Sequence, residues 1–322
     1  ENQLAALTFN QHDRHLLPTP LYFGGGRAFA ISHLFIGATL ILHPPPYEPA
    51  DLAQAVETHR ADTTFLVPTL IRRLLQLPDA ALAPMRRLRV LVSSGAPLHP
   101  PEREAVATRL TPGFMEYFAS TEGGGVAILP PGAWRGHPNS VGRAALGVEV
   151  EVVGEDRRPL PPGEEGLVRY RGASVATSFF NDPEKSAEAF RDGWFHPGDI
   201  GRLDAEGYLT LLGRASQKII RGGVNLHPAE IERALEGLPE IEEAAVFGIP
   251  HPELGEEVRA VVVAGADTDA ARVRAALGGR LAPYKIPRDI VFAEALPRNA
   301  AGKVALREVK ARWGDVEASA QP

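Results

Sequence analysis

Between about residues 36 and 118, short apolar runs alternate with segments of helical spacing. Thr39–Leu42, Thr64–Val67, Leu88–Val92 and Gly113–Phe118 read as buried strands. Ala50–His59, Thr69–Leu77 and Pro101–Leu110 set their apolar residues on one helical face. This alternation predicts a mostly parallel sheet with covering helices, whose ligands lie at the carboxyl ends of strands. The loops after Val92 and Phe118 are therefore where chemistry is expected. The longest apolar stretch, Phe29 to Leu42, carries Ser32, His33 and Thr39. At about 14 residues it is too short to span a bilayer, and it predicts a buried segment ending in the strand Thr39–Leu42.

The pattern changes between residues 140 and 212. Gly147–Val153 and Gly166–Arg171 alternate with period two, Tyr208–Leu212 is a further strand, and turn-rich pieces such as Pro159–Gly163 separate them. A small β-rich subdomain is expected there. After Gln217, Pro228 suits a first helical position, with Ile231, Ala234, Leu235 and Leu238 on one face before Gly237 and Pro239 stop the helix. Strands at Ala244–Ile249 and Val258–Val263, a helix near Asp269–Leu281, a strand at Ile290–Phe292 and a helix after Lys303 complete a compact α+β unit. The tail Ser319–Pro322 is expected to be disordered.

Composition narrows the function classes. The formal net charge of -6 argues against nucleic-acid binding, which needs a basic stripe that the chain lacks. With no cysteine there are no disulfides, thiolate zinc sites or cysteine nucleophiles, and a reducing compartment fits, so a cytoplasmic location is expected. No signal peptide is visible, and because the chain begins with Glu1 an upstream part is expected to be missing.

Several short segments could carry chemistry. Ser120-Thr121-Glu122-Gly123-Gly124-Gly125 sets a hydroxyl, a carboxylate and supple backbone at a strand end, suited to a phosphate oxygen and Mg²⁺, or equally to a plain glycine-rich turn. Ser93-Ser94-Gly95-Ala96-Pro97 has small residues that let a flat ligand approach the backbone, though a tight turn explains them as well. Asp199, after Trp194-Phe195-His196-Pro197-Gly198, could accept bonds from both hydroxyls of a ribose, with Arg214 just past the next strand adding donors. A turn aspartate is the commoner reading. Lys303, in Pro297-Arg298-Asn299-Ala300-Ala301-Gly302-Lys303, could bring a point charge to a phosphate, although most lysines are merely solvated. His12 and His15 read as surface residues, because no third metal ligand accompanies them. The run Gly213–Glu232 joins a strand, a Gly-Gly turn and a helix opened by Pro228, and reads as a pivot between domains.

Taken in order, these segments resemble the adenylate-forming superfamily of acyl-CoA synthetases, aryl-CoA ligases, luciferases and carrier-protein adenylation domains. The resemblance covers roughly residues 10 to 310. It rests on Pro20-Leu21-Tyr22-Phe23, Ser94-Gly95-Ala96-Pro97, Phe118-Ala119-Ser120-Thr121-Glu122, Gly198-Asp199, and the run Gly213–Glu232 with Lys303 behind it. It implies an α/β fold: a partial, large adenylate-forming domain over 1–216, made of a sheet-and-helix subdomain and a small β-rich one, joined by a hinge to a small mobile α+β domain over 217–322.

The resemblance also implies roles. Ser94, Gly95 and Ala96 would line the adenine pocket, with Phe118 stacking on the ring. Thr121 would contact the α-phosphate and Glu122 would hold Mg²⁺. Asp199 and Arg214 would hold the ribose, and Lys303 would bridge carboxylate and α-phosphate. Gln217 would be the hinge. Gly222 and Gly223 would line the pantetheine tunnel, and Tyr284 and Arg288 would contact the CoA nucleotide. Phe23, Gly123 and Gly124 would border the acyl pocket, where small residues leave room for a bulky or long acid.

Four departures stand out. Gln217 replaces the usual aspartate or lysine, Phe23 a frequent histidine and Ala119 a glycine, and the loop that cradles the β- and γ-phosphates is expected upstream of residue 1. The expected activity is ATP-dependent ligation of a carboxylic acid, fatty and aromatic acids fitting alike, to coenzyme A, through an acyl-adenylate. The expected partners are the acid, ATP and CoA, with no nucleic acid and no transmembrane segment; a homodimer is entertained. The alternatives are a non-catalytic nucleotide- or acyl-adenylate-binding protein, and an adenylating enzyme with another acceptor, such as oxygen or a carrier protein.

Overall fold

The strands of the first half are apolar on both sides, and the fold uses both. The computed structural model describes residues 7–265, 268–298 and 304–314. These divide into two compact units, one of residues up to Pro197 with Gly201–Leu211, the other of Gly198–Ile200 with the residues from Leu212 onward.

In the first unit β1 (Arg14–Leu17), β2 (Thr39–Leu42), β3 (Thr63–Leu66), β4 (Val90–Ser93) and β5 (Phe114–Ser120) run parallel in the order β2-β1-β3-β4-β5. α1 (Gly24–Phe35) covers one face. α2 (Pro49–Thr58), α3 (Pro68–Leu75) and α4 (Pro100–Ala105) cover the other. Alternate strand residues divide accordingly. Leu16, Leu66, Leu91 and Phe114 pack with α2 and α3, whereas Leu17, Phe65, Val92 and Tyr117 pack with Phe29 and Ala30 of α1. Strands buried on both faces are what a parallel sheet requires.

The helices start where local chemistry prescribes. Glu48 and Asp51 form a capping box ahead of Pro49, and His99 and Glu102 another ahead of Pro100. The helix expected over Pro101–Leu110 is α-helical only to Ala105 and finishes as a π turn, Val106–Leu110. In place of one buried segment from Phe29 to Leu42 there is a helix, a turn and then β2, which is the edge strand and only half-buried. His15, expected on the surface, is fully buried on β1; its ring stacks on that of His33 at 3.9 Å, and its Nδ1 lies 2.9 Å from Thr63 Oγ1. His12 is exposed.

β6 (Gly124–Leu129) pairs antiparallel with β5, and the sheet continues through β7 (Gly142–Ala144). The β-rich region follows: β8 (Val148–Val153) pairs with β9 (Gly166–Gly172) around a core of Val152, Val168, Tyr170 and Phe195. α5 (Pro183–Ala189), β10 (Phe190–Arg191), β11 (Trp194–Phe195), β12 (Asp199–Leu203) and β13 (Tyr208–Arg214) complete it.

The second unit contains β14 (Ile219–Arg221), β15 (Val224–Leu226), α6 (Pro228–Glu236), β16 (Ile241–His251), β17 (Gly255–Ala264), α7 (Ala270–Leu277), β18 (Asp289–Phe292) and α8 (Leu306–Trp313). Its sheet order is β15-β14-β17-β16, with β18 parallel to β17. α6 and α7 share a core with β16 and β17 through Ile231, Leu235, Val246, Val258 and Val273. α7 ends at Leu277, short of the expected Leu281, and the strand expected over Tyr208–Leu212 runs on to Arg214. The tail Ser319–Pro322 lies outside the described residues.

Candidate functional site

β4 and β5 are neighbouring parallel strands, so their carboxyl ends place two loops on one edge of the sheet. After β4 the chain leaves a buried Ser93 into half-buried Ser94 and exposed Gly95, Ala96 and Pro97, then returns to the core at Leu98. Gly95 has φ +105°, a conformation that L side chains rarely adopt.

β5 extends to Ser120, beyond the expected end at Phe118, and a register shift between Phe118 and Ala119 interrupts its pairing with β6. A bulge of this kind re-aims side chains next to a site. Thr121 and Glu122 therefore occupy a tight hairpin turn rather than a long glycine-rich loop. Ser120 Oγ accepts from Gly123 N at 2.8 Å and lies 2.8 Å from the Tyr170 hydroxyl, and Glu122 O accepts from Ala176 N at 2.7 Å. The turn is thus fixed from both sides, leaving Thr121 exposed and Glu122 half-buried.

The room expected beside the glycines is largely filled. A Cβ on Gly123 would fall 2.4 Å from the Tyr170 ring, and one on Gly125 2.0 Å from the Tyr117 hydroxyl. Only Gly124, at φ +61°, has ordinary contact distances, to Ser174. Phe23 is the half-buried N-cap residue of α1. A shallow cleft of about 270 Å³, lined by Arg143, Ala144, Val150, Leu203, Gly207 and Leu209, includes none of the expected site residues.

In the second unit Asp199 and Arg214 are brought together. Arg214 Nε lies 2.8 Å from Asp199 Oδ1, and Ala215 N donates to Gly198 O. Asp199 is buried, and burial pushes its carboxyl above the ordinary range although Arg214 pulls it down. Gln217 is exposed at the end of a 3₁₀ turn, Ala215–Gln217. Gly222 (φ +56°) and Gly223 (φ +80°) form the two-residue turn between β14 and β15, where positive φ at both positions is required. Gly222 N also donates to Leu254 O at 2.8 Å. Tyr284 is exposed in a 3₁₀ turn, next to Lys285, which is held by both carboxylate oxygens of Glu230 at 2.6 and 2.7 Å. Arg288 is exposed, and its carbonyl accepts from Arg274. Lys303 lies outside the described residues.

Sequence reasoning missed Glu116 and Arg103, which form a buried ion pair at 2.6 Å beneath the two loops of the first unit. A signal was present: Phe114-Met115-Glu116-Tyr117-Phe118 sets one carboxylate inside an otherwise apolar strand.

A parallel α/β unit with paired loops at its strand ends, together with a small α+β unit, is the architecture of adenylate-forming enzymes. The chain belongs to the AMP-binding enzyme family, whose profile matches residues 2–180; the AMP-binding enzyme C-terminal domain matches residues 230–303. The chain is 34% identical to a feruloyl-CoA synthase of Amycolatopsis sp over 319 residues, 97% of this chain and 64% of that protein. It is similar to ATP-bound MatB from Rhodopseudomonas palustris (TM-score 0.88, 32% identity, 98% of this chain and 63% of that one). It is also similar to the amide bond synthetase McbA from Marinactinospora thermotolerans (TM-score 0.90, 31% identity, 96% and 64%). The chain thus spans about two thirds of the length of these relatives. Among the described residues no helix is long and apolar enough to cross a membrane.

Proposed function

We propose that this chain is the larger part of an ATP-dependent carboxylic acid–CoA ligase. The observation that carries the reading is the pairing of the Ser94–Ala96 loop with the Thr121–Glu122 turn at adjacent strand ends. Ser94, Gly95 and Ala96 form the adenine wall, Phe118 stacks on the ring, and Thr121 donates to the α-phosphate. Asp199 and Arg214 hold the ribose, in keeping with their pairing.

Glu122 fits a Mg²⁺ ligand: it is a half-buried carboxylate on a turn pinned by its own backbone, and this ion needs only one or two protein carboxylates beside water and phosphate. Bound there, Mg²⁺ neutralises phosphate charge. Lys303 stabilises the charge that develops as the carboxylate attacks the α-phosphorus and pyrophosphate leaves. The CoA thiol then attacks the acyl carbonyl and AMP departs. Gly222 and Gly223 flank the thiol's approach, Tyr284 and Arg288 bind the CoA nucleotide, and Gln217 is the pivot between domains 1–216 and 217–322. Phe23, Gly123 and Gly124 border the acid. With Gly123 and Gly125 already covered by tyrosine rings, the acid enters beside Gly124 and Phe23.

The likeness to an amide bond synthetase favours a second reading, in which an amine takes the thiol's place. A panel of carboxylic acids assayed on the full-length protein decides. Acid-dependent ATP–pyrophosphate exchange with CoA-dependent AMP release supports the ligase. Exchange with amine-dependent but CoA-independent release supports the alternative, and absence of exchange with every acid refutes both.

A further inference from the structure

We propose that Glu116, keyed by Arg103, is a positioning residue for the nucleotide site: it fixes the Ser94–Pro97 loop in register with the strand that ends in Thr121 and Glu122. The inference rests on the proposed assignment of that loop to adenine. Both side chains are almost completely enclosed, with Arg103 2% and Glu116 7% exposed. Glu116 Oε1 accepts from Leu98 N at 3.1 Å, and its Oε2 meets Arg103 Nε at 2.6 Å. Leu98 is the first residue after the exposed loop to re-enter the core, so its N–H is the point at which β5 holds that loop.

Arg103 extends the tie. Its Nη1 donates to Pro138 O at 2.5 Å and its Nη2 to Ser140 O at 3.2 Å, while Ser140 Oγ donates to Leu209 O at 2.8 Å and accepts from Gly142 N at 2.9 Å. One buried pair therefore joins β5, the loop after β4, α4 and the segment leading into β7. A buried ion pair adds little to stability compared with apolar residues of similar volume, so its geometric use is the better account of its presence. No atom of the pair needs to touch the nucleotide. Its effect passes through the Leu98 N–H to the loop backbone.

Two double variants of the full-length protein separate positioning from bulk stability, and both avoid leaving a lone buried charge. Arg103→Met with Glu116→Gln removes the charges but keeps an acceptor for Leu98 N. Arg103→Met with Glu116→Leu removes the acceptor as well. The expected result is a KM for ATP raised about tenfold in the leucine variant, the scale of one lost hydrogen bond, and largely rescued in the glutamine variant. The kcat and the KM for the acid should stay near wild type in both. A lowered Tm with unchanged KM for ATP, or equal rises in both KM values, would overturn the inference. AMP binding measured at equilibrium reads the loop without any chemistry. Weaker binding in the leucine variant than in the glutamine variant supports the inference even if no acid is turned over, and equal binding refutes it.

Discussion

In the proposed reaction Lys303 and Glu122 divide the electrostatic work between a point charge and a carboxylate on a pinned turn. A carboxylate approaching a polyanionic phosphate meets repulsion, and a lysine at the reacting oxygens offsets it as charge builds. Lys303→Ala in the full-length protein should lower acid-dependent ATP–pyrophosphate exchange by about 10²–10³-fold, the scale of one lost electrostatic donor. Thioester formation from preformed acyl-adenylate should be largely spared, because phosphorus is no longer attacked in that step. Equal loss of both activities would show that Lys303 supports the fold instead. The same scale shows what residue types alone could convey. Asp199 and Arg214 were recognisable as a candidate ribose pair, whereas the burial that raises the Asp199 carboxyl was not, since no single residue type encodes its surroundings.

At the scale of elements, the β14–β15 turn and α6 each set a testable limit. Gly222 and Gly223 both have positive φ, so a β-branched or bulky residue there costs about 1–2 kcal/mol before any effect on the thiol. Gly223→Leu should abolish thioester formation while leaving exchange measurable. Gly223→Asn tolerates the conformation and has open space, and should lose much less. If both variants lose thioester formation equally, backbone strain is not responsible, because asparagine tolerates the conformation; unchanged thioester formation in Gly223→Leu would refute the assignment.

α6 sends two carboxylates to the edge strand β16. Glu232 accepts from Val246 N at 2.9 Å and Glu236 from Ala244 N at 3.2 Å, which satisfies donors that an edge would leave open. Burial pushes the Glu232 carboxyl up to about 7. Its folded value stands above its unfolded one, so the fold favours the protonated form and loses stability as pH climbs from about 4.5 to about 7. Glu232→Gln keeps the acceptor and removes the charge. Near pH 8 its thermal midpoint should exceed wild type by about 5 °C, with little difference near pH 4.5, and parallel curves across that range would refute the assignment.

At the scale of the whole molecule, α1 carries large apolar side chains on its exposed side as well as its buried one. One face buries Phe29, Ala30 and His33, while Ile31, Leu34 and Phe35 on the other are 61, 60 and 68% exposed. A helix apolar on both faces is normally covered on both. The relatives are about half as long again as the region matched. Ile31→Ser, Leu34→Ser and Phe35→Ser together should reduce self-association of this chain alone, read by light scattering. In the full-length protein they should lower Tm, and an unchanged Tm would mean that this face is open to solvent there as well.

Strand–helix alternation made the parallel sheet legible from residue 36 to 118 because strands buried on both faces are uniformly apolar. It failed at α1 for a related reason: with Ile31, Leu34 and Phe35 opposite the buried Phe29 and Ala30, the helix has too little polar face to show its period. It failed at β6 and β12, where glycines and charges broke the alternation. The same glycines looked like room for a ligand, yet Tyr117 and Tyr170, distant in the chain, occupy much of that space.

By itself, then, the sequence determined the strand–helix alternation from residue 36 to 118, most elements after Pro228, the two-part organisation and the choice of candidate site residues, because periodicity, caps and short motifs act over a few neighbouring positions. Only the tertiary structure decided that Thr121 and Glu122 sit on a pinned hairpin and that Asp199 meets Arg214. It alone revealed that Glu116 and Arg103 hold the loop after β4 and that His15 is buried against His33. Those outcomes depend on which distant side chains share a low-dielectric interior, and contact between distant positions leaves no local pattern to read.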